Sequence, residues 1–365
     1  MATLADPAFA RQPHPAPVPG ATRVEALRDP GFGKIFSDHM VVIDWSEAKG
    51  WHNATIGPRG PIALDPAAAV LHYAQEIFEG LKAYRTADGG TALFRPQANA
   101  ARFNRSAARL AMPDLPEALF IGAIKELVAT DREWFPPVDG GSLYLRPFMF
   151  ASEAFLGVRP AREYKFVVIA SPAGNYFKSG APAVSIWVSS DYTRAAPGGT
   201  GAAKCGGNYA ASLVPQAEAI ARGHDQVVFL DAAEHRWIEE LGGMNLFFVM
   251  ADGSVITPPL GGTILPGITR DSLIDLMHDE GLTVREERYG IDQWRADAAS
   301  GALVETFACG TAAVVTAVGK VAGHDGEFTI GAGTPGQLTQ KLRSRLVAIQ
   351  RGEAPDPHGW VVRLD

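Results

Sequence analysis

Short strand-like runs that end at glycine turns occur in both halves of the chain, and helical segments lie between them. The segments 81–96 and 245–259 each contain an Asp-Gly pair between two apolar runs, which predicts two β-hairpins. A chain of 365 residues is long enough for two domains of ordinary size. The pattern therefore predicts two mixed α/β domains. Further predicted strands are 40–45, 142–150 and 164–172, and predicted helices are 101–112, 209–222, 268–282 and a last helix with Thr334 as its N-cap.

Composition marks where the domains begin and end. The first thirty residues are rich in Pro and Ala and lack the basic-then-apolar order of a secretory signal, so an irregular arm is expected. A second stretch rich in Gly, Pro and Ser, residues 172–183, is the best linker candidate. We therefore expect an arm over 1–30, a small α/β domain over 31–172, an interdomain loop over 173–184 and a large domain over 185–365.

Charge and cysteine content restrict the class of protein. The formal net charge of -7 argues against a nucleic-acid or anionic-membrane surface, which would need a basic patch. Two cysteines in so long a chain do not form a disulfide framework, and no His, Cys, Asp or Glu cluster has zinc spacing. The most apolar long stretch, 306–319, is too short to span a bilayer. These observations predict a soluble cytoplasmic protein without a metal.

One lysine lies in a segment that carries no other charge, GGTGAAKCGGNYAASL (198–213). A P-loop is excluded because Ala203 and Cys205 flank Lys204, and the dinucleotide-binding fingerprint lacks its third glycine. A lysine in an apolar pocket loses part of its tendency to be charged, and the free amine can condense with a carbonyl. The usual carbonyl partner is pyridoxal phosphate, which also needs phosphate donors, a carboxylate at its ring nitrogen and a hydrogen bond to its ring hydroxyl.

Candidates for those three needs are present. Glu239 and Glu240 precede a glycine turn and a strongly apolar strand, so one of them could face the ring nitrogen. The Gly/Pro loop in 258–273 leads into a helix N-terminus, where free N–H groups bind anions. Residues 308–315 form a second small-residue loop with a threonine hydroxyl. Each feature taken singly is also typical of an ordinary turn or a solvated loop end.

The blocks KCGGNYAASL, EELGGMNLF, TPPLGGTILPGITR and CGTAA, in this order, resemble the branched-chain amino-acid aminotransferases. The N-terminal half agrees through FGKIFSDHMVVIDW, LHYAQEIFEGLKAYR, LFRPQANAARFNRSAARL and GSLYLRPFMF. The resemblance covers roughly residues 30 to 350. It implies a fold type IV enzyme that uses pyridoxal 5'-phosphate, with a smaller N-terminal and a larger C-terminal domain, assembled as a homodimer.

The resemblance also implies the roles of individual residues toward the cofactor. Lys204 would form the Schiff base and move a proton between substrate and cofactor. Glu240 rather than Glu239 would pair with the ring nitrogen, because it keeps the family's spacing to the glycine turn and to Asn245. Tyr209 would hydrogen-bond the ring hydroxyl. The phosphate would be held by Arg102, with Arg105 as its rival, by Thr311 and by the N–H groups of Ile268 and Thr269.

On the substrate side, the resemblance implies a pocket that accepts both an aliphatic and a charged side chain. Arg146 would receive the distal carboxylate of glutamate or 2-oxoglutarate. Tyr73 and the backbone near Thr311 and Ala312 would bind the α-carboxylate. The apolar wall would comprise Phe32, Tyr73, Tyr144 and Tyr176, with Val158 contributed by a second subunit. From the residues alone, the same tyrosines are equally typical of core or interface packing.

The implied reaction is reversible transamination of L-leucine, L-isoleucine and L-valine with 2-oxoglutarate, which gives branched-chain 2-oxo acids and L-glutamate. A D-amino-acid aminotransferase or an aminodeoxychorismate lyase would share the Lys and Glu blocks but is not expected to carry GSLYLRP and FGKIFSDHM. An alternative from another class is a non-catalytic protein that uses the glycine loops to bind a phosphate ligand.

The sequence departs from the family pattern in two respects, at three positions. Gly243 stands where some relatives have Thr, so a hydroxyl near the site is missing. Ala313 and Thr316 occupy the places of a redox-sensitive cysteine pair found in vertebrate members, so we expect no such switch. Cys309 lies nearby without a partner at that spacing, and Cys205 is expected to be a small apolar filler.

Overall fold

The computed structural model describes residues 8–137, 141–174 and 183–364. The chain divides into two units: Met1–Lys178 with Ala203–Gly206 and Ile349–Asp365, and Ser179–Ala202 with Gly207–Ala348. The first unit therefore includes Ala203–Gly206, the part of the lysine segment around Lys204, and the C-terminal residues, which the sequence-based division assigned to the second domain. Most of the expected interdomain loop lies outside the described residues.

The strands of the described residues are, in chain order, β1 (Ala10–Arg11), β2 (His39–Ser46), β3 (Gly50–Pro58), β4 (Glu76–Phe78), β5 (Leu81–Arg85), β6 (Thr91–Phe94), β7 (Ser142–Ala151), β8 (Glu163–Ala173), β9 (Ala183–Ser189), β10 (Gln226–Leu230), β11 (Ile238–Leu241), β12 (Asn245–Met250), β13 (Val255–Thr257), β14 (Val284–Glu286), β15 (Leu303–Gly310), β16 (Val314–Gly323), β17 (Gly326–Thr329) and β18 (Val361–Arg363).

The helices are α1 (Gly20–Ala26), α2 (Ala69–Tyr73), α3 (Pro96–Arg109), α4 (Glu117–Thr130), α5 (Gly206–Ala210), α6 (Leu213–Ala221), α7 (Ile268–Asp279), α8 (Ile291–Ser300) and α9 (Gln337–Gln350), with a 3₁₀ turn at Arg132–Trp134. Every helix within the described ranges is too short or too polar to span a bilayer.

The first unit contains one sheet in the order β1-β3-β2-β8-β7-β5-β6-β18, and β4 pairs with β7. The predicted hairpin at 81–96 is confirmed, because β5 and β6 pair antiparallel with Tyr84 opposite Ala92. Helices α3 and α4 pack on this sheet through Phe103 and Phe120, which contact Phe166 of β8 in the core. The C-terminal strand β18 belongs here because it pairs with β6.

The second unit contains a sheet in the order β11-β10-β9-β16-β15-β12-β13-β14, with β17 paired to β16. The second predicted hairpin is confirmed by the antiparallel pairing of β12 with β13. Strand β12 also pairs antiparallel with β15, and Asn245 lies opposite Cys309. This register brings the start of β12 and the end of β15 to the same edge of the sheet.

Two helix predictions need correction. The segment 209–222 forms two helices, α5 and α6, and Pro215 falls in the first turn of α6, where its missing N–H costs no intrahelical bond. The last helix begins at Gln337, so Thr334 is not its N-cap. Its first-turn N–H groups at Leu338 and Thr339 instead donate to the carboxylate of Glu305 on β15, at 3.1 and 2.9 Å.

Candidate active site

Hydrogen bonds within the first unit fix the backbone around Lys204. The Lys204 carbonyl accepts from the Phe78 N–H at 2.9 Å, and its N–H donates to Ser106 Oγ at 2.9 Å. The Gly206 N–H donates to the carboxylate of Glu76. A Cβ at position 206 would collide with that carboxylate, so a larger residue there would displace the Glu76 side chain. The lysine is thereby tied to both β4 and α3.

The residues beside Lys204 explain the unusual composition of this segment. Ala203 and Cys205 are buried and belong to the core of the first unit, so Cys205 is an apolar filler as predicted. Lys204 is half-buried, and its Nζ lies 4.8 Å from the centroid of the Phe78 ring. The segment thus anchors itself by small apolar side chains and holds the amine over an aromatic face.

A fully buried carboxylate, Glu79, pairs with Arg102. The Arg102 Nε and Nη2 atoms lie 2.7 and 2.9 Å from Glu79 Oε1 and Oε2, and Asn99 Nδ2 donates to Oε2 at 2.7 Å. Burial alone would raise the pKa of Glu79, but the charges of Arg102 and Lys204 and these hydrogen bonds hold the pKa below its ordinary value. Arg102 is therefore fixed by an ionised partner.

The two arginine candidates for the phosphate differ in burial. Arg102 is buried, whereas Arg105 is exposed to solvent. Arg102 shares a helix face with Ser106, four residues later, and both contact groups around Lys204. Their three-residue separation alone did not distinguish the two arginines, and the contacts with Glu79 favour Arg102.

Arg146 is enclosed by aromatic rings. Its guanidinium carbon lies 4.7 Å from the Phe78 ring centroid and 5.5 Å from that of Tyr144, and its Nη2 donates to the Tyr144 hydroxyl at 3.1 Å. Phe32 packs edge-on against Tyr144, with ring centroids 4.9 Å apart. The Arg146 Nε is buried and has no hydrogen-bond partner in the described part of the chain. Gly80 leaves room for the Tyr144 hydroxyl, because a Cβ at position 80 would displace it.

The remaining predicted pocket residues of the first unit lie elsewhere. Tyr73 is exposed, and its hydroxyl donates to the carbonyl of Leu156. Val158 lies in the loop after Leu156 and is 87 % exposed. Tyr176 lies outside the described residues. The structure therefore groups Phe32, Tyr144, Arg146, Arg102 and Lys204 around Phe78 and Glu79, and places Tyr73 and Val158 at the surface.

In the second unit, both candidate carboxylates are buried on β11, which excludes a solvated loop end. Glu240 Oε1 lies 2.9 Å from Arg194 Nη1 and accepts from the Leu265 N–H at 2.9 Å, and Oε2 accepts from Asn245 Nδ2 at 3.3 Å. Glu239 accepts from the Thr263 hydroxyl at 2.5 Å. Burial raises the pKa of Glu239, although Thr263 and Arg194 oppose the shift. Glu240 is thus the carboxylate with a direct ion pair.

The predicted phosphate donors meet at Asn245. Helix α7 begins at Ile268 after Gly267, where a Cβ would collide with the Asn245 amide oxygen. Because Asn245 lies opposite Cys309, the end of β15 and the following Thr311 reach the same edge of the sheet. The first N–H groups of a helix have no intrahelical partner, so this edge offers free donors to an anion.

Tyr209 lies at the same edge of the second sheet. Its ring lies 3.8 Å from the position that a Cβ would take at Gly243, in the turn between Glu240 and Asn245. A side chain at position 243 would therefore contact the Tyr209 ring. The second unit brings together, at one edge of its sheet, Tyr209, Glu240, Ile268, Thr269, Thr311 and Ala312.

Sequence reasoning missed several residues that hold these groups. Phe78 contacts both Lys204 and Arg146, and Glu79 holds Arg102. Arg194, which pairs with Glu240, was not singled out. A usable signal existed for Glu79, because a single carboxylate in the apolar run IFEGLKAY needs a buried partner. Phe78 and Arg194 have no such local signal.

Each unit, taken by itself, contains groups of the kinds that pyridoxal 5'-phosphate requires. The first unit offers an amine at Lys204 and a guanidinium at Arg102, and the second offers the Glu240 carboxylate, helix N–H groups and the Thr311 hydroxyl. These are the groups that an aldehyde, a phosphate and a pyridine nitrogen require. No cluster of three His, Cys, Asp or Glu side chains in the described ranges could hold a metal ion.

The fold and the site define a class IV aminotransferase, and the family model described as "Amino-transferase class IV" matches residues 76–321. The chain is 58% identical to the branched-chain-amino-acid aminotransferase of Mycolicibacterium smegmatis, covering 96% of each chain. It is 47% identical to the branched-chain-amino-acid transaminase 1 of Bacillus subtilis, over 92% of this chain and 94% of the relative. The chain therefore belongs to the branched-chain-amino-acid aminotransferase family.

Solved structures of branched-chain amino acid aminotransferases are also similar to this chain. The branched-chain amino acid aminotransferase from Escherichia coli has a TM-score of 0.72 at 28% identity, covering 89% of this chain and 99% of its own. The T.th. enzyme complexed with N-(5'-phosphopyridoxyl)-L-glutamate has a TM-score of 0.72 at 32% identity, covering 88% of this chain and 98% of its own. The predicted family, fold type, enzyme class and pyridoxal 5'-phosphate cofactor are confirmed.

Proposed function

We propose that this enzyme transfers the amino group of L-leucine, L-isoleucine or L-valine to 2-oxoglutarate, reversibly, and that Lys204 carries the chemistry. The observation that carries the proposal is the placement of two basic side chains against one ring. Lys204 Nζ and the Arg146 guanidinium carbon lie 4.8 and 4.7 Å from the Phe78 centroid. The reactive amine and the guanidinium that binds a distal carboxylate are thus held on one apolar surface.

The bound cofactor supplies an aldehyde and a ring that accepts the electrons released when a substrate C–H bond breaks. With the cofactor bound, Lys204 would hold it through its amine and would take and return the substrate Cα proton, a role worth on the order of 10²–10⁴-fold. Glu240 keeps a proton on the ring nitrogen by placing a negative charge beside it. Tyr209 binds the ring hydroxyl.

The phosphate is assigned to Arg102, to the Thr311 hydroxyl and to the N–H groups of Ile268 and Thr269. Support comes from the Glu79 pair that fixes Arg102 and from the N-terminus of α7, which has free donors and a positive dipole end. Binding energy at the phosphate fixes the cofactor relative to the Lys204 amine.

The substrate residues explain how one enzyme could take both leucine and glutamate. Phe78, Tyr144 and Phe32 supply apolar area for an aliphatic side chain. Arg146, with its Nε still without a partner among the described residues, supplies donors to a distal carboxylate. The α-carboxylate is assigned to the backbone at Thr311 and Ala312, and Tyr176 to the apolar wall. Tyr73 is left out of this assignment, because it lies at the surface with its hydroxyl on the Leu156 carbonyl.

The first experiment tests the role of Lys204. Holoenzyme is reduced with borohydride, digested and analysed by mass spectrometry, and a pyridoxyl group is expected on Lys204. Lys204→Ala should carry no label, whereas Lys165→Ala should be labelled like wild type, since Lys165 pairs with Asp44 on the surface of the first sheet. Label on a different lysine contradicts the assignment, and binding without any label supports the non-catalytic alternative.

The second experiment tests the substrate. Purified enzyme with 2-oxoglutarate is assayed against L-leucine, L-isoleucine and L-valine, with D-alanine and aminodeoxychorismate as alternative substrates. Turnover of the three L-amino acids and release of L-glutamate are expected. A preference for D-alanine or for lyase chemistry refutes the branched-chain assignment while leaving the class IV fold intact.

The proposal extends to assembly and location. A homodimer is supported by the exposure of Val158 and Leu156, because large apolar side chains at a surface favour a protein contact. The cytoplasm is the proposed compartment because two cysteines in so long a chain suit a reducing environment. Val158 would complete the pocket of the second subunit. Light scattering should give the mass of a dimer, and Val158→Asp should weaken both the dimer and leucine turnover; a monomeric active enzyme rejects this part. Cell fractionation checks the compartment.

A further inference from the structure

We propose that Arg194 is the positioning residue that keeps the Glu240 carboxylate charged and oriented, and that ties it to the segment leading into Lys204. This inference rests on the proposed role of Glu240 and names a residue behind it. Arg194 follows β9 and precedes Lys204 by ten residues, in a segment that no sequence motif marked as functional.

The geometry within the second unit carries the inference. The Arg194 side chain is 2% exposed, and its Nη1 lies 2.9 Å from Glu240 Oε1. The same nitrogen donates to the Thr263 carbonyl at 2.9 Å, with a longer contact to the Gly201 carbonyl at 3.4 Å. One guanidinium therefore contacts the carboxylate, the loop before α7 and the segment before Lys204.

The ion pair between Arg194 and Glu240 has an electrostatic role. A carboxylate buried without a cation favours its neutral form, and a neutral acid at position 240 could not hold a proton on a ring nitrogen. The hydrogen bonds from Leu265 and Asn245 orient Glu240, and Arg194 contributes the compensating charge. The next carboxylate on the strand shows what burial does without a direct ion pair, because burial raises the pKa of Glu239.

Close packing makes the link rigid. A Cβ at Gly201 would collide with the backbone of Thr263, so these two segments touch directly. Arg194 donates to the carbonyls of both residues, and Lys204 lies three residues further along the chain. Loss of Arg194 should therefore affect both the charge of Glu240 and the position of the segment before the lysine.

The test is a double-mutant cycle on the holoenzyme: wild type, R194M, E240Q and R194M/E240Q, with R194K as the conservative variant. The first readout is the pH dependence of the bound cofactor's absorbance, and the second is the dissociation constant for pyridoxal 5'-phosphate. Besides Arg194, the charged or titratable groups within electrostatic range of Glu240 include the buried Cys309 thiol, which Arg270 also influences. All of these groups are unchanged across the cycle.

R194M is expected to raise the midpoint of the absorbance transition by about one pH unit, in the same direction as E240Q, because either change removes the proton from the ring nitrogen. Cofactor affinity should fall by at least roughly 10-fold, since one partner of a buried charge pair is lost. R194K should recover part of both effects. The double variant should add little to E240Q. R345M, which removes a charge from the surface pairs with Asp279 and Glu280, should behave like wild type.

Equal effects of R194M in the wild-type and E240Q backgrounds would assign Arg194 a merely structural role and overturn the inference. An unchanged midpoint in R194M would do the same. If R194M does not fold, R194K and R194K/E240Q complete the cycle. Wild-type enzyme without a pyridoxyl label on Lys204 would instead refute the proposed function, so the two failures are distinguishable.

Discussion

Replacement of Arg146 by Gln should separate the two kinds of substrate. The guanidinium is held by the Phe78 and Tyr144 rings and by the Tyr144 hydroxyl, and its buried Nε has no partner among the described residues. It therefore has donors left for a distal carboxylate. Glutamine keeps some polarity and length but removes the charge and the two-pronged donor geometry.

The magnitude follows from the contacts that are lost. A hydrogen bond to a charged group contributes about 1.5–3 kcal/mol, so kcat/KM for glutamate and 2-oxoglutarate should fall roughly 10- to 150-fold. Leucine does not present a second carboxylate and loses only the indirect effect of the vacated cation–π contacts. That effect is about 0.5–1 kcal/mol, or roughly two- to fivefold. The ratio of leucine to glutamate efficiency should therefore rise by about an order of magnitude.

The assay measures each half-reaction separately by following the absorbance of the bound cofactor after mixing with leucine or with glutamate. Tyr144→Phe is the matched control, because it removes one hydrogen bond to Arg146 and keeps the ring and the charge. Its effect on glutamate should be smaller than that of Arg146→Gln. If Arg146→Gln lowered kcat/KM equally for leucine and glutamate, Arg146 would support the fold and would not bind the distal carboxylate.

Three further predictions follow from buried groups. Glu79→Met leaves Arg102 buried without its carboxylate partner and should lower the free energy of unfolding by about 3–5 kcal/mol. Adding Arg102→Met should recover most of that loss. Urea denaturation of wild type, the two single variants and the double variant measures this, and a double variant that stays as unstable as Glu79→Met contradicts it. Burial raises the folded-state pKa of Glu239 above 4.5, so the protein loses stability as the pH rises past that value. Glu239→Gln should therefore have a higher melting temperature than wild type at neutral pH. If melting curves showed the same increase in melting temperature below pH 4.5, this account would be wrong. Burial also raises the pKa of the Cys309 thiol, and Cys205 is buried, so both should react with a thiol reagent only after denaturation; a fast-reacting native thiol would disprove this.

The elements that local chemistry specifies were predictable. Both hairpins turn at Asp-Gly pairs, and the strand at 142–150 and the helix from Ile268 follow from apolar runs and glycine-rich entry loops. The start of α9 was not predictable, because its cap is Glu305, more than thirty residues earlier in the chain. A cap that comes from another strand leaves no pattern beside the helix.

The candidate site also contains residues that the sequence indicated and residues that only tertiary contacts identify. Lys204 and the loop before Ile268 were candidates because glycines and small residues next to them allow close backbone approach. The choice of Glu240 over Glu239 came from the family resemblance. Helix periodicity left Arg102 and Arg105 open, and only the contact with Glu79 distinguishes them.

The sequence by itself therefore determined the class of enzyme, which lysine is the candidate nucleophile, and the two hairpins that turn at Asp-Gly pairs. Only the tertiary structure decided which distant side chains meet: Phe78 under both Lys204 and Arg146, and Arg194 on Glu240. Turns and caps depend on residues a few positions apart, so the sequence shows them directly. Buried ion pairs depend on sheet pairing and packing between segments that are far apart in the chain, and these arise only when the chain folds.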